Sequence, residues 1–163
     1  MIRYGALFAA VTFIADQASK WAVLNILDLP SRGTLPILPG LNFTMVWNQG
    51  VTFGLLHQDG AAGPWILAAI AIAVVIALAV WLRRAETRLV AAALGAIAGG
   101  AIGNVVDRLR FGAVVDFLHA HAFGYSWYVF NVADAAIVCG VAALLLDGIH
   151  PARSRLQPTD LPQ

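Results

Sequence analysis

Charge is what this 163-residue chain has least of: 12% of its residues are Asp, Glu, Lys or Arg, while 60% are hydrophobic. A water-facing domain carries about 25% charged residues, so the composition excludes an ordinary soluble surface and points to a chain dissolved in lipid. A single cysteine, Cys139, excludes an internal disulfide and a cysteine-built metal cluster. It lies in an apolar run and reads as a small buried thiol. The net charge of +1 provides no basic surface for nucleic acid. There is no G-x-S-x-G, no H-E-x-x-H and no glycine loop ahead of a lysine and hydroxyl. Serine, zincin and nucleotide chemistry thereby lose their main support.

What is present is apolar and segmented. Four windows are long enough to cross a bilayer core, at about 4–27, 64–82, 89–106 and 132–146. They predict an all-α membrane protein with one domain over 1–163 and a polar tail at 147–163. The first window contains Asp16 and Lys20, which break the apolar core a cleaved signal peptide needs, so a retained helix is expected. The last window is short and is expected to begin inside the membrane at its aspartate end. Arg3, Arg83, Arg84, Arg88, Arg153 and Arg155 fall on one side of these spans, and Arg32, Arg108 and Arg110 on the other. Six against three predicts both termini in the cytoplasm and two long loops outside. In the first of those loops, Pro-Gly punctuation, alternating β-prone residues over 41–47 and the glycines Gly50 and Gly54 predict a strand or hairpin at the membrane surface. Trp47, Trp65, Trp127 and Tyr128 read as interfacial anchors.

Gly95, Gly99 and Gly103 recur every fourth residue, a face on which another helix can approach closely. Asn104, Asp107 and Arg108 follow at that helix's outer end, where an Asp-Arg pair has a bland reading as a surface ion pair. Asp16 and Lys20 stand one turn apart and can meet. Ionisable groups at such depth face the bundle interior or a watery cavity, unless they form a purely structural tie. Asp116, in "AVVDFL", follows an apolar triplet, and Asp134 stands three residues after Asn131 at the mouth of the last span. Asp134 alone has a bland account as a helix-capping carboxylate. Together the two acids mark the outer mouths of neighbouring spans, and two close carboxylates share a proton, the state in which an aspartic protease activates water. His119 and His121 form an H-x-H element, but no third ligand has suitable spacing, so neither a metal nor another cofactor is expected. A proton- or cation-relaying transporter subunit and a non-catalytic scaffold are the rival classes. The lack of an internal repeat counts against the transporter.

The blocks "DQASK" (16–20), "NQGVTFG" (48–54), "GNVVDR" (103–108), "VVDF" (114–117) and "FNVAD" (130–134) together resemble the lipoprotein signal peptidase, or signal peptidase II, family. The resemblance covers nearly the whole chain except the polar tail. It implies a four-helix aspartyl endopeptidase of the bacterial inner membrane, expected as a monomer, acting at the outer leaflet on lipid-modified prolipoproteins. It also implies cleavage just before the lipid-bearing cysteine and binding of globomycin-type inhibitors. It assigns the catalytic pair to Asp116 and Asp134. It gives Asp16, Asn48, Asn104, Arg108 and Asn131 to the lining or bracing of the site, with Gly103 and Asp107 nearby; Lys20, Gly50 and Gly54 lie in the same blocks. A β-cradle over about 42–56 and a short helix near 119–124 lying over the site are further implications. Two departures stand beside the catalytic positions: Val51 and Thr52 replace the family's small alanines, and Tyr128 replaces the proline that commonly follows Trp127's counterpart.

Overall fold

The computed structural model describes residues 1–50 and 63–149. Helix α1 (Ile2–Trp21) continues through a π-helical turn, Ala22–Ile26, and a four-residue helix α2 (Leu29–Arg32) follows. Strands β1 (Thr34–Leu38) and β2 (Leu41–Asn48) precede helices α3 (Gly63–Leu82) and α4 (Arg88–Phe111). Strands β3 (Val114–Ala122) and β4 (Tyr125–Ser126) then lead into α5 (Val132–Ile149). Among the described residues four helices, α1 with its π-turn, α3, α4 and α5, are long and apolar enough to cross a membrane. The strands form one antiparallel sheet in the order β1-β2-β3-β4.

Helix α4 is the centre of the bundle and packs against α1, α3 and α5. Its small residues make that possible. A Cβ on Gly95 or Gly99 would collide with the backbone carbonyls of Gly5 and Ala9 on α1, and one on Gly103 would strike the Asp16 carboxylate. A Cβ on Gly100 would meet the Ala133 carbonyl of α5 at 2.7 Å. Lipid supplies no hydrophobic drive between helices, so close backbone approach and van der Waals contact hold such a bundle together. Helix α3 buries only Ala68 and otherwise turns its apolar side chains outward. Cys139, expected to be buried, is exposed on α5. Where the solvent is lipid, an apolar run need not face protein.

Helix α4 also runs further than the window 89–106 suggested. Thr87 caps its start through a bond from the Val90 amide (3.1 Å), and Gly112, at φ 71°, ends it by donating to the Arg108 carbonyl. Asp107 and Arg108 therefore stand on the helix and not in a loop. Helix α5 likewise extends to Ile149, so Asp147 is helical and does not open a tail.

The alternation of β3 divides its side chains between two faces. Val115 and Phe117 join Val23 and Leu29 in a small core, with the Phe117 ring edge-on to Phe43 at 5.5 Å. Asp116 projects to the opposite face, toward the ends of α4 and α5. The short helix expected over 119–124 is absent. Strand β3 continues to Ala122, turns in two residues at Phe123–Gly124 and returns as β4. Its backbone groups are engaged by β2, Asn42 opposite His119 and Leu41 opposite Ala120, a partner too distant in sequence for local signals to reveal.

Candidate active site

Asp116 is 1% exposed, and both its carboxylate oxygens accept from side-chain amides. Asn48 Nδ2 donates to Oδ2 at 2.9 Å and Asn131 Nδ2 to Oδ1 at 2.6 Å. Each amide is itself oriented. The Gly50 amide, on a residue at φ 81°, donates to Asn48 Oδ1 at 2.9 Å and turns the Asn48 NH2 toward Asp116. Asn131 Oδ1 accepts from the Asp134 amide at 2.9 Å, which leaves the Asn131 NH2 aimed at Asp116.

Asp134 lies half-buried in the first turn of α5. Its Oδ2 accepts the Asn131 amide at 3.2 Å and its Oδ1 accepts Asn104 Nδ2 at 2.9 Å. Asn131 and Asp134 thus form a reciprocal capping box at a helix N-terminus, where the peptide dipoles favour negative charge. The capping role foreseen for Asp134 is real, but it occupies one carboxylate oxygen and leaves the other for Asn104. Asn131 contacts both acids and links them into one unit. Burial above all pushes the Asp116 carboxyl up to about 6. The negative charge of Asp134 adds to that rise, while the Asn48 and Asn131 hydrogen bonds and the Lys20 charge oppose it.

A second pair of acids lies behind the first. Lys20 Nζ bridges Asp16 Oδ2 at 2.8 Å and Asp107 Oδ2 at 2.7 Å, with all three residues at most 3% exposed. Lys20 also donates to Asn104 Oδ1 at 3.1 Å, the oxygen that Asn131 Nδ2 reaches at 3.2 Å. Asp16 Oδ1 accepts the Ala133 amide of α5 at 3.0 Å, and Asp107 Oδ2 accepts the Val115 amide of β3 at 3.1 Å. These two bonds tie the elements bearing Asp134 and Asp116 to the bundle. Gly103 contributes by having no side chain, since any Cβ there would displace Asp16. Arg108 bonds the Asn104 carbonyl through Nη1 at 3.2 Å, and its guanidinium lies within electrostatic reach of Asp134, Asp116 and Asp107. Its Nε is buried without a hydrogen-bond partner.

Two carboxylates placed by neutral donors and linked through one asparagine, beside a second pair of acids bridged by a lysine, form an arrangement suited to general acid–base chemistry on a bound carbonyl. Residues 8–150 match the family model described as Signal peptidase (SPase) II. The chain belongs to the signal peptidase II family. It is 50% identical over 159 residues to the lipoprotein signal peptidase of Methylorubrum extorquens (strain PA1), covering 98% of this chain and 92% of that one. It is also 50% identical over 149 residues to the lipoprotein signal peptidase of Methylobacterium radiotolerans, covering 91% and 87%. A solved bacterial membrane enzyme, determined by the in meso method at 2.3 Å, superposes with a TM-score of 0.76 at 27% identity over 96% of both chains. A second such structure, at 1.9 Å, gives a TM-score of 0.78. With its four lipid-compatible helices, this member of the signal peptidase II family is a multi-pass membrane protein.

Eleven of the twelve site positions singled out in the sequence fall within the described residues: Asp16, Lys20, Asn48, Gly50, Gly103, Asn104, Asp107, Arg108, Asp116, Asn131 and Asp134. These eleven assemble into the two linked clusters. Gly54, Val51 and Thr52 lie outside the described residues. One participant was missed. Gln17 Nε2 reaches Asp16 Oδ2 at 3.2 Å, Asp107 Oδ1 at 3.1 Å and the Gly103 carbonyl at 3.3 Å. A carboxamide beside a buried aspartate in an otherwise apolar span was the available signal. His119 shares Nδ1 with Thr44 Oγ1 at 3.2 Å, and its ring centroid lies 6.0 Å from that of His121.

Proposed function

We propose that this protein is an intramembrane aspartic endopeptidase that removes the signal peptide from diacylglyceryl-modified prolipoproteins, cutting just before the lipidated cysteine. Asp116 and Asp134 are its water-activating pair. The observation that carries the reading is Asn131, which donates to Asp116 while exchanging hydrogen bonds with Asp134. The names of the relatives support the substrate class, and six basic residues against three support an active site facing the outer leaflet of the bacterial inner membrane.

In the proposed reaction the scissile carbonyl lies between the two carboxyls, one ionised and one protonated. The ionised carboxylate takes a proton from water as the water oxygen bonds to the carbonyl carbon, and the carboxylic acid donates its proton to the carbonyl oxygen. As the tetrahedral intermediate collapses, the C–N bond breaks and the carboxyl that took the water's proton gives it to the cysteine nitrogen. The other carboxylate takes back a proton from an intermediate hydroxyl, restoring the pair. The products are the signal peptide's new carboxyl terminus and a free amine on the lipidated cysteine. Asn48, Asn104 and Asn131 hold the carboxyls in place, Gly50 orients Asn48, and Lys20 with Asp16 and Asp107 braces the frame. Arg108 supplies positive charge beside the pair.

The test is direct. Purified protein in detergent is mixed with diacylglyceryl-modified precursor, and the shortened product is followed by gel. Cleavage that resists chelators, stops with a globomycin-type inhibitor and is lost in both Asp116→Asn and Asp134→Asn supports the proposal. Full cleavage by either variant overturns the pair.

A further inference from the structure

Strand β2 meets β3 in two registers. Leu41, Asn42 and Phe43 lie opposite Ala120, His119 and Leu118, whereas Val46, Trp47 and Asn48 lie opposite Asp116, Val115 and Val114. Thr44 and Met45 of β2 therefore stand against the single Phe117 of β3. Such an extra residue bends a strand and re-aims the side chains beyond it. Had the first register continued, Trp47 would lie opposite Val114 and Asn48 opposite Ala113. Facing residues on paired strands share a side of the sheet, and Val114 shares its side with Asp116. The uninterrupted ladder would thus put the Trp47 indole on the side of Asp116 and turn Asn48 away. A slip of one residue exchanges the two.

Either register can satisfy the backbone groups of the ladder, so side chains decide between them. The Trp47 ring packs against Phe111, the last residue of α4, with centroids 5.5 Å apart and planes at 61°. The Arg110 guanidinium lies 4.9 Å from the Phe111 centroid, a cation–π contact that restrains the ring Trp47 meets. One turn back on α4, Asp107 accepts the amide of Val115, the residue opposite Trp47. The end of α4 therefore grips both strands at one rung, β3 through an amide and β2 through an indole. Asn48 is next along β2 and reaches Asp116 at 2.9 Å. Beyond it, a Cβ on Gly50 would strike Leu67 of α3.

We propose that Trp47 is a positioning residue: its indole, seated on Phe111, selects the register of β2 in which Asn48 faces Asp116. Trp47 acts through Asn48, a role distinct from the interfacial anchoring its residue type suggests. In the slipped register Asp116 would lose a hydrogen-bond donor and gain an aromatic neighbour. The effect on cleavage rests on Asp116 being a reacting acid. The effect on the Asp116 proton does not, and it can be read without substrate.

Trp47→Ala, Phe111→Ala and Asn48→Ala are compared singly and in pairs in the full-length protein in detergent. Two quantities are followed across pH: kcat/KM on diacylglyceryl-modified precursor, and the melting temperature relative to Asp116→Asn. The Asn48 hydrogen bond lowers the Asp116 pKa, so its loss should move the alkaline limb of both profiles to higher pH. Asp134 of α5, Lys20 of α1 and Arg108 of α4 are the other charges bearing on Asp116, and these variants leave them in place. Trp47→Ala should reproduce the Asn48→Ala shift, with a loss of kcat/KM approaching about tenfold and carried by kcat. Phe111→Ala tests the same contact from the other side, should Trp47→Ala not fold; both residues are half-exposed. Adding either change to Asn48→Ala should cost less than about twofold more, because the donor is already gone. Trp47→Phe keeps a ring for Phe111 and should restore the wild-type profiles. Trp65→Ala, at an exposed tryptophan of α3 with the same anchor reading, should shift neither profile. Losses that multiply in full between positions 47 and 48 overturn the proposal. So does an unshifted melting profile in Trp47→Ala, or an equal shift in Trp65→Ala. A wild-type protein that cleaves nothing defeats the proposed function instead, and the melting profiles still decide the register.

Discussion

Asp16 and Asp107 share the ammonium of Lys20 at 2.8 and 2.7 Å, whereas Asp116 and Asp134 are held by carboxamides and backbone amides. The two pairs belong to one hydrogen-bond network, joined at Asn104, yet their chemistry diverges. A buried carboxylate bridged to a cation is tied to that partner, because losing either leaves the other unpaired in a poorly solvated place. Carboxylates held by neutral donors have no such tie. Burial and the neighbouring charge of Asp134 bring Asp116 to about 6, within reach of proton exchange near neutral pH. This contrast is the basis on which we propose the first pair as a brace and the second as the reacting pair.

That contrast can be broken most decisively at the amide-held pair. Asp116→Asn or Asp134→Asn should lower kcat by at least about 10³-fold while the detergent-solubilised protein melts cooperatively. A comparable loss of cleavage in Asp16→Asn, with folding intact, would erase the distinction between the pairs. Next in size is the brace. Lys20→Met leaves two buried carboxylates without their cation and should cost about 3–5 kcal/mol, read as a lowered melting temperature. The double change Lys20→Met with Asp107→Asn should recover part of that loss. Gly103→Ala pushes a methyl into the Asp16 carboxylate and should cost about 1–3 kcal/mol, as overpacked sites do.

Smaller effects sharpen the comparison through pH. The folded-state pKa of Asp116 is raised from 3.8 to about 6, so the folded protein holds this proton more tightly than the unfolded chain does. The associated stability is fully present below pH 3.8 and is lost as pH rises through about 6. Asp116→Asn, which never ionises, should therefore gain melting temperature relative to wild type above that window and not below it. For activity, kcat/KM should decline on the alkaline side as Asp116 loses its proton near about 6. Asn48→Ala removes a hydrogen bond that favours the ionised acid, so this limb should move to higher pH. The accompanying loss in kcat/KM should be about tenfold, the order expected for one hydrogen bond to a charged group.

Much of this site was legible because charge is rare in the chain. Asp116 after an apolar triplet, Asp134 at a span mouth and Asp16 with Lys20 inside a span each required a reason, and the ordered blocks around them joined these positions into one family pattern. Asn131 illustrates the limit. Its spacing to Asp134 announced a helix start, but its contact with Asp116 depends on β3 crossing that start, which no local signal encodes. Gln17 was overlooked because one carboxamide in a helix has many bland fates, and its three partners come together only when α1 docks on α4. The end of α4 was misplaced for a related reason. Asp107 looked like the start of a loop, but Lys20 from another helix neutralises it and the helix continues to Phe111.

The sequence by itself determined the solvent, the four apolar helices, the glycine face of α4 and the chemical types available to the site, because these follow from composition and local periodicity. Tertiary structure alone decided which acid meets a cation and which meets only amides, and that 119–124 is a hairpin rather than a helix. Those outcomes rest on strand pairing and helix crossing between residues far apart in the chain. The free energy of a buried carboxylate is set by the neighbours that such contacts deliver.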